Sequence, residues 1–225
     1  MIDKDFIKNA YNQIIKNTDS KVKLLAVSKY QSIEKIDYLK SLGQTDFGEN
    51  YLQELEGKAT ARPDLSWHFI GSLQSRKIKH IVKYVDSIQS VEKKDHLEKI
   101  DKAAKAENKQ INVLLQINID NDPNKSGFNS LQQDEVLKCI KISKELKNTT
   151  VVGLMCIPAK SITPDKSFKK MKSFFDEVNS QLSNEQKLTR LSMGMSADYQ
   201  LAIQHGSTEA RIGSSLFGKR VNHPV

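Results

Sequence analysis

Short apolar runs alternate with longer amphipathic stretches along nearly the whole chain. Residues 3–17 space their apolar side chains at helical intervals and predict a leading helix. Eight strand-to-helix units follow. Lys23–Ser28 precedes a helix over 32–42, Asp46–Glu49 one over 51–60, Ser66–Ile70 one over 74–84, and Asp86–Val91 one over 93–107. The second half repeats the pattern. Ile111–Asn118 precedes a helix over about 130–147, Val151–Cys156 one over 165–182, Thr189–Met193 one over 197–205, and Glu209–Gly213 a short one near 214–219. The runs LLAV, VLLQI and VVGLM are apolar on both faces, as strands of a covered parallel sheet must be. Eight parallel strands with helical crossovers close most economically into an α/β fold, a (β/α)8 TIM barrel. An open doubly wound sheet is the alternative. With no linker, low-complexity tract or composition break, 1–225 reads as a single domain.

Composition narrows the class. A chain of 225 residues can bury a large core without staples, and 38% hydrophobic with 28% charged residues is ordinary for a soluble protein. The net charge of +8 raises the question of nucleic acid. The lysines, however, are scattered and sit beside acids, as in Glu34/Lys35, Glu98/Lys99 and Asp101/Lys102, which reads as a solvated surface. No zinc-finger spacing or basic arm supports nucleic-acid binding, and no metal site is expected. Cys139 and Cys156 form no CxxC pair, which suggests a reducing compartment. The start Met1-Ile2-Asp3-Lys4-Asp5 lacks a signal-peptide run, and no stretch is apolar enough for a membrane span, so the cytoplasm is expected.

A (β/α)8 barrel keeps its chemistry at the C-terminal ends of its strands, often with a phosphate site after strands seven and eight. Lys29 directly follows the apolar run 24–28. Desolvation there would make its amine a good Schiff-base former, while the plainer reading is an exposed lysine ending a strand. Ser196 stands where strand seven becomes a helix, as an anion-binding hydroxyl or as a helix cap. Gly213 would let a phosphate approach the backbone, with the N–H groups of Gly213 and Ser214 pointing at it. Arg211 either faces a ligand or makes a salt bridge buried among the barrel layers. Together these residues describe a ligand with an aldehyde at one end and a phosphate at the other.

The stretches AVSK (26–29), FGENYLQE (47–54), WHFIGSLQ (67–74), KSGF (125–128), LSMGMSAD (191–198) and ARIGSSLFG (210–218) resemble the pyridoxal phosphate homeostasis protein family, which is related to the N-terminal barrel of bacterial alanine racemase. The likeness runs from the first strand to the last. It implies that pyridoxal 5′-phosphate is held as a Schiff base on Lys29. It also implies that Arg211 faces the pyridine nitrogen and that Ser196, Gly213 and Ser214 bind the phosphate. Asn50 is implied near the ring, with Ile70 and Met195 as apolar walls. The family usually carries Asn where this chain has Arg76, and Thr is commoner just after the lysine, where this chain has Tyr30 and Gln31.

A guanidinium donates to the ring nitrogen and disfavours its protonation, so the cofactor is a weaker electron sink. Racemisation by two bases needs a second acid–base group opposite Lys29. The sequence closes at Val225, just after the eighth unit, and no motif places Tyr30, Tyr51 or Tyr199 there. The expected function is therefore to carry and buffer the cofactor without being an enzyme. A small amino-acid racemase or lyase is the alternative, and a sugar- or nucleotide-phosphate barrel enzyme a third reading. Cofactor-requiring apo-enzymes are the expected partners, and a monomer the expected state.

Overall fold

The computed structural model describes residues 2–18 and 21–218. Helix α1 (Lys4–Thr18) leads into β1 (Lys23–Val27). Then follow α2 (Ile33–Ser41), β2 (Asp46–Glu49), α3 (Leu52–Ala61), β3 (Ser66–Phe69), α4 (Ile78–Tyr84), β4 (Ser87–Val91) and α5 (Lys94–Ala106). The second half comprises β5 (Ile111–Asn118), a two-residue β6 (Phe128–Asn129), α6 (Gln133–Ser143), β7 (Thr149–Cys156), α7 (Pro164–Ser180), β8 (Arg190–Met195), α8 (Tyr199–Gln204), β9 (Glu209–Ile212) and α9 (Ser214–Phe217).

The strands run in the order β4-β3-β2-β1-β9-β8-β7-β5, and a β4–β5 pairing closes the ring. Every pairing is parallel, so the fold is the closed (β/α)8 barrel. The open-sheet alternative fails at the β1–β9 and β4–β5 seams, where Leu24 pairs with Ala210 and Ile88 with Val113.

The layers follow from two periodicities. On the helices, one face is apolar and buried, as His96, Leu97, Ile100 and Ala104 are on α5. On the strands, alternate residues face outward to that layer or inward to the barrel axis. Leu24 and Ala26 join the outer core, while Leu25 is buried on the inner side. α9 is only four residues long, and α1 packs against it, taking the place in the ring that α9 is too short to fill.

Three details differ from expectation. β6 was not expected; it adds Phe128 and Asn129 beside Ile117 and Asn118 at the end of β5. The helix expected over 130–147 is confined to Gln133–Ser143, because Asn129, Ser130 and Asn121 use their side chains to build a turn ahead of it. β8 runs on to Met195, past Gly194 in the left-handed region at φ 93°. Position 219, the last expected for the final helix, lies outside the described residues.

Candidate functional site

A cavity of about 310 Å³ opens at the C-terminal end of the barrel, a size at the lower end for small-molecule sites. Lys29, Asn50, Ile70 and Met195 line it, and so do Ser196, Arg211, Gly213 and Ser214. All eight residues singled out in the sequence therefore meet at one place. Val27, Met155, Ile157 and Ala197 complete the lining and were not foreseen. Their signal is strand alternation: Val27 stands two before Lys29, and Met155 two before Ile157, so each pair shares the inward face.

The cradle differs from the simplest expectation. Ser196 Oγ accepts hydrogen bonds from the backbone N–H of Gly213 and of Ser215, each at 3.2 Å, and Ser215 Oγ donates to the Ser196 carbonyl. Neighbouring strands β8 and β9 bring these loops together. Ser196 is not the cap of α8: Asp198 holds that position, and its carboxylate accepts from the Met195 N–H at 2.6 Å. A Cβ on residue 213 would stand 3.2 Å from the Val27 carbonyl oxygen, so glycine keeps β9 close to β1 here. Gly71 has a sharper requirement, since a Cβ there would fall 2.0 Å from the Asn50 carbonyl oxygen. Asn50 Oδ1 is buried, with no hydrogen-bond partner among the described residues.

Arg211 is 5% exposed. Its Nη1 donates to Ser192 Oγ at 2.7 Å and its Nη2 to the Cys156 carbonyl at 2.8 Å. Burial pulls its pKa down from the usual arginine value. Beneath it a polar thread descends the barrel axis. Ser192 Oγ donates to Gln89 Oε1 at 2.9 Å, and Gln89 Nε2 reaches both Glu209 Oε1 and His68 Nδ1. His68 Nε2 meets Asp46 Oδ1 at 3.0 Å, and Lys23 closes the thread on Asp46 at 2.6 Å. An Nδ1 that accepts from Gln89 fixes the proton on His68 Nε2, which then donates to Asp46. Burial alone would raise the Asp46 pKa, but the bonds from His68 and Lys23 outweigh it and hold the carboxyl well below its usual range. Glu209 is 1% exposed and lies two residues before Arg211 on the same inward face. Arg211 thus belongs both to the cavity wall and to a buried polar layer.

Behind Lys29 lies a second buried polar group. Ser28 Oγ donates to Glu49 Oε1 at 2.6 Å, and Lys58 Nζ is 2.8 Å from the same oxygen. Burial pushes the Glu49 carboxyl up, with Lys58 opposing. Burial likewise pushes the Cys156 thiol up to about 12, so it is inert packing. Among the described residues, no three His, Cys, Asp or Glu side chains could hold a metal ion, and no helix is long and apolar enough to cross a membrane.

A closed parallel barrel with a lysine ending its first strand and serine and glycine loops after its last two defines a class, and residues 2–221 match the family described as alanine racemase, N-terminal domain. Within that class, the chain belongs to the pyridoxal phosphate homeostasis protein family. It is 39% identical over 221 residues to the protein of that name from Pasteurella multocida (strain Pm70), covering 95% of this chain and 93% of that one. To the one from Schizosaccharomyces pombe it is 37% identical over 203 residues, covering 88% and 84%. Among solved structures, PipY of Synechococcus elongatus PCC7942 superposes with a TM-score of 0.85 at 33% identity without PLP. With PLP bound, it superposes with 0.83 at 30%, and both comparisons cover 94% of this chain and 100% of PipY. An alanine racemase from Clostridium difficile 630 shares the fold, with a TM-score of 0.77 at 14% identity, and this chain covers 58% of it.

Proposed function

We propose that this protein binds pyridoxal 5′-phosphate at the barrel mouth and carries and buffers it in the cytoplasm. The observation that carries the reading is one cavity joining Lys29, the Ser196–Gly213–Ser214 loops and Arg211. The lining fits the cofactor: an amine for its aldehyde, hydroxyls and backbone N–H groups for its phosphate, and a guanidinium for its ring nitrogen. Asn50 Oδ1, buried and without a partner among the described residues, would accept from the ring hydroxyl. When bound, the cofactor supplies an aldehyde that condenses with the Lys29 amine. Arg211, held by Ser192 and the Cys156 carbonyl, stays charged and keeps N–H donors for the ring.

Among the described residues that line the cavity, Lys29 is the one ionisable side chain that can give up its proton, because Arg211 remains protonated. Tyr30, Tyr51 and Tyr199 are not among the described residues that line the cavity. This favours carriage over racemisation. Two buried free cysteines suit a reducing compartment. Apo-enzymes are the partners this reading calls for, and the protein acts as a monomer in it. The test is borohydride treatment of the cofactor-loaded protein followed by peptide mapping. The expected outcome is a yellow protein with the cofactor fixed to Lys29, and a Lys29→Ala variant without the visible band. Fixation to another lysine would overturn the assignment.

A further inference from the structure

The backbone on both sides of Lys29 is tied to one buried ionic cluster. Lys58 Nζ, its side chain 9% exposed, donates to the Ser28 carbonyl at 2.7 Å, to Glu49 Oε1 at 2.8 Å and to Glu54 Oε2 at 2.7 Å. An ammonium has three protons, so its donors are fully used. Glu54 Oε2 also accepts the Tyr30 N–H at 2.7 Å. Ser28 is therefore held through its carbonyl and its hydroxyl, and Tyr30 through its N–H. Tyr30 sits at φ 62°, a left-handed conformation costly for an aromatic residue and kept only where its surroundings impose it. Glu54 and Lys58 are one turn apart on α3, so one helix face carries the clamp. A buried ion pair is often no more stabilising than apolar packing of the same volume, so stability is a poor reason for this cluster. Fixed geometry is a better one.

We infer that Lys58 and Glu54 are positioning residues for Lys29: they lock the chain on either side of it and aim its amine into the cavity. The inference rests on the reading of Lys29 as the residue that bonds the cofactor's aldehyde.

Two ligands separate aim from scaffold. Pyridoxal 5′-phosphate engages Lys29 and the cradle. Pyridoxine 5′-phosphate has an alcohol in place of the aldehyde and keeps every contact except the bond to Lys29. In stripped protein, Lys58→Met and Glu54→Ala are expected to slow the visible band and weaken pyridoxal 5′-phosphate binding on the order of tenfold to a hundredfold, with pyridoxine 5′-phosphate affinity within about twofold. In a Lys29→Ala background, Lys58→Met is expected to change neither affinity. Equal losses for both ligands would make the cluster a mere support of the fold, and no loss for either would also overturn the inference. If Lys58→Met fails to fold, Glu54→Ala, whose side chain is 25% exposed in the native protein, carries the test. Wild-type protein that fixes the cofactor elsewhere than Lys29 overturns the underlying reading and the inference with it.

Discussion

Single atoms decide how the mouth of this barrel is built. Ser196 Oγ accepts from two backbone N–H groups, so its loss leaves both without that acceptor as well as removing a hydroxyl. Charge-assisted hydrogen bonds contribute about 1.5–3 kcal/mol each. Ser196→Ala is therefore expected to weaken pyridoxal 5′-phosphate by about that much and pyridoxal by far less, measured by fluorescence titration of both. Glu209 is the other residue on which much depends. Its Oε1 accepts from Gln89 Nε2, while its buried Oε2 has no hydrogen-bond partner among the described residues. Removing a buried acceptor typically costs about 1–3 kcal/mol, because its donor is left unsatisfied. Glu209→Leu is expected to lower the urea midpoint accordingly, although the substitution is more apolar.

Elements set where those atoms stand. The turn after β3 passes so close to the Asn50 carbonyl that Gly71→Ala must push β2 and β3 apart, at a cost of roughly 1–3 kcal/mol or more; thermal denaturation would read it. On α5, His96 is buried, and desolvation, reinforced by Lys93, brings its pKa from 6.5 to about 4. The unfolded chain then takes up a proton between those values that the folded chain refuses, so stability falls as pH drops through that window. Urea titrations at pH 7 and pH 5 should show the decline, and His96→Leu should flatten it. The order of strands and helices was legible because β1, β5 and β7 are apolar runs while α5 and α7 keep a one-sided period. β6 was not, since two residues carry no period. Nor was the clamp on Lys29, because Glu54 and Lys58 at i, i+4 look like any solvated helix pair. The thread under Arg211 was hidden for a different reason. Asp46, His68, Gln89 and Glu209 each lie on a different strand, and only closure of the ring makes them neighbours.

For the whole molecule, the carrier reading has a measurable corollary. With Lys29 as the one proton-exchanging group in the lining among the described residues, the carrier reading has no second base, and such a loss forfeits about 10²–10⁴-fold in rate. Alanine, serine or valine of either hand should gain negligible solvent deuterium at the α-carbon in the loaded protein. Incorporation at enzyme-like rates that vanishes in Lys29→Ala would instead make it a racemase. The seam between β1 and β9 carries a further consequence for synthesis. Leu24 finds its partner in Ala210, so the strand that leads to Lys29 is made early and must wait for almost the entire chain. At about 5–20 residues per second, the ribosome takes on the order of ten seconds or more to deliver β9. Until then the mouth has a lysine but neither Arg211 nor the Gly213 loop, and chains halted before Glu209 should capture no cofactor. In the carrier reading, a chain is expected to hold the cofactor only once β9 has closed the ring.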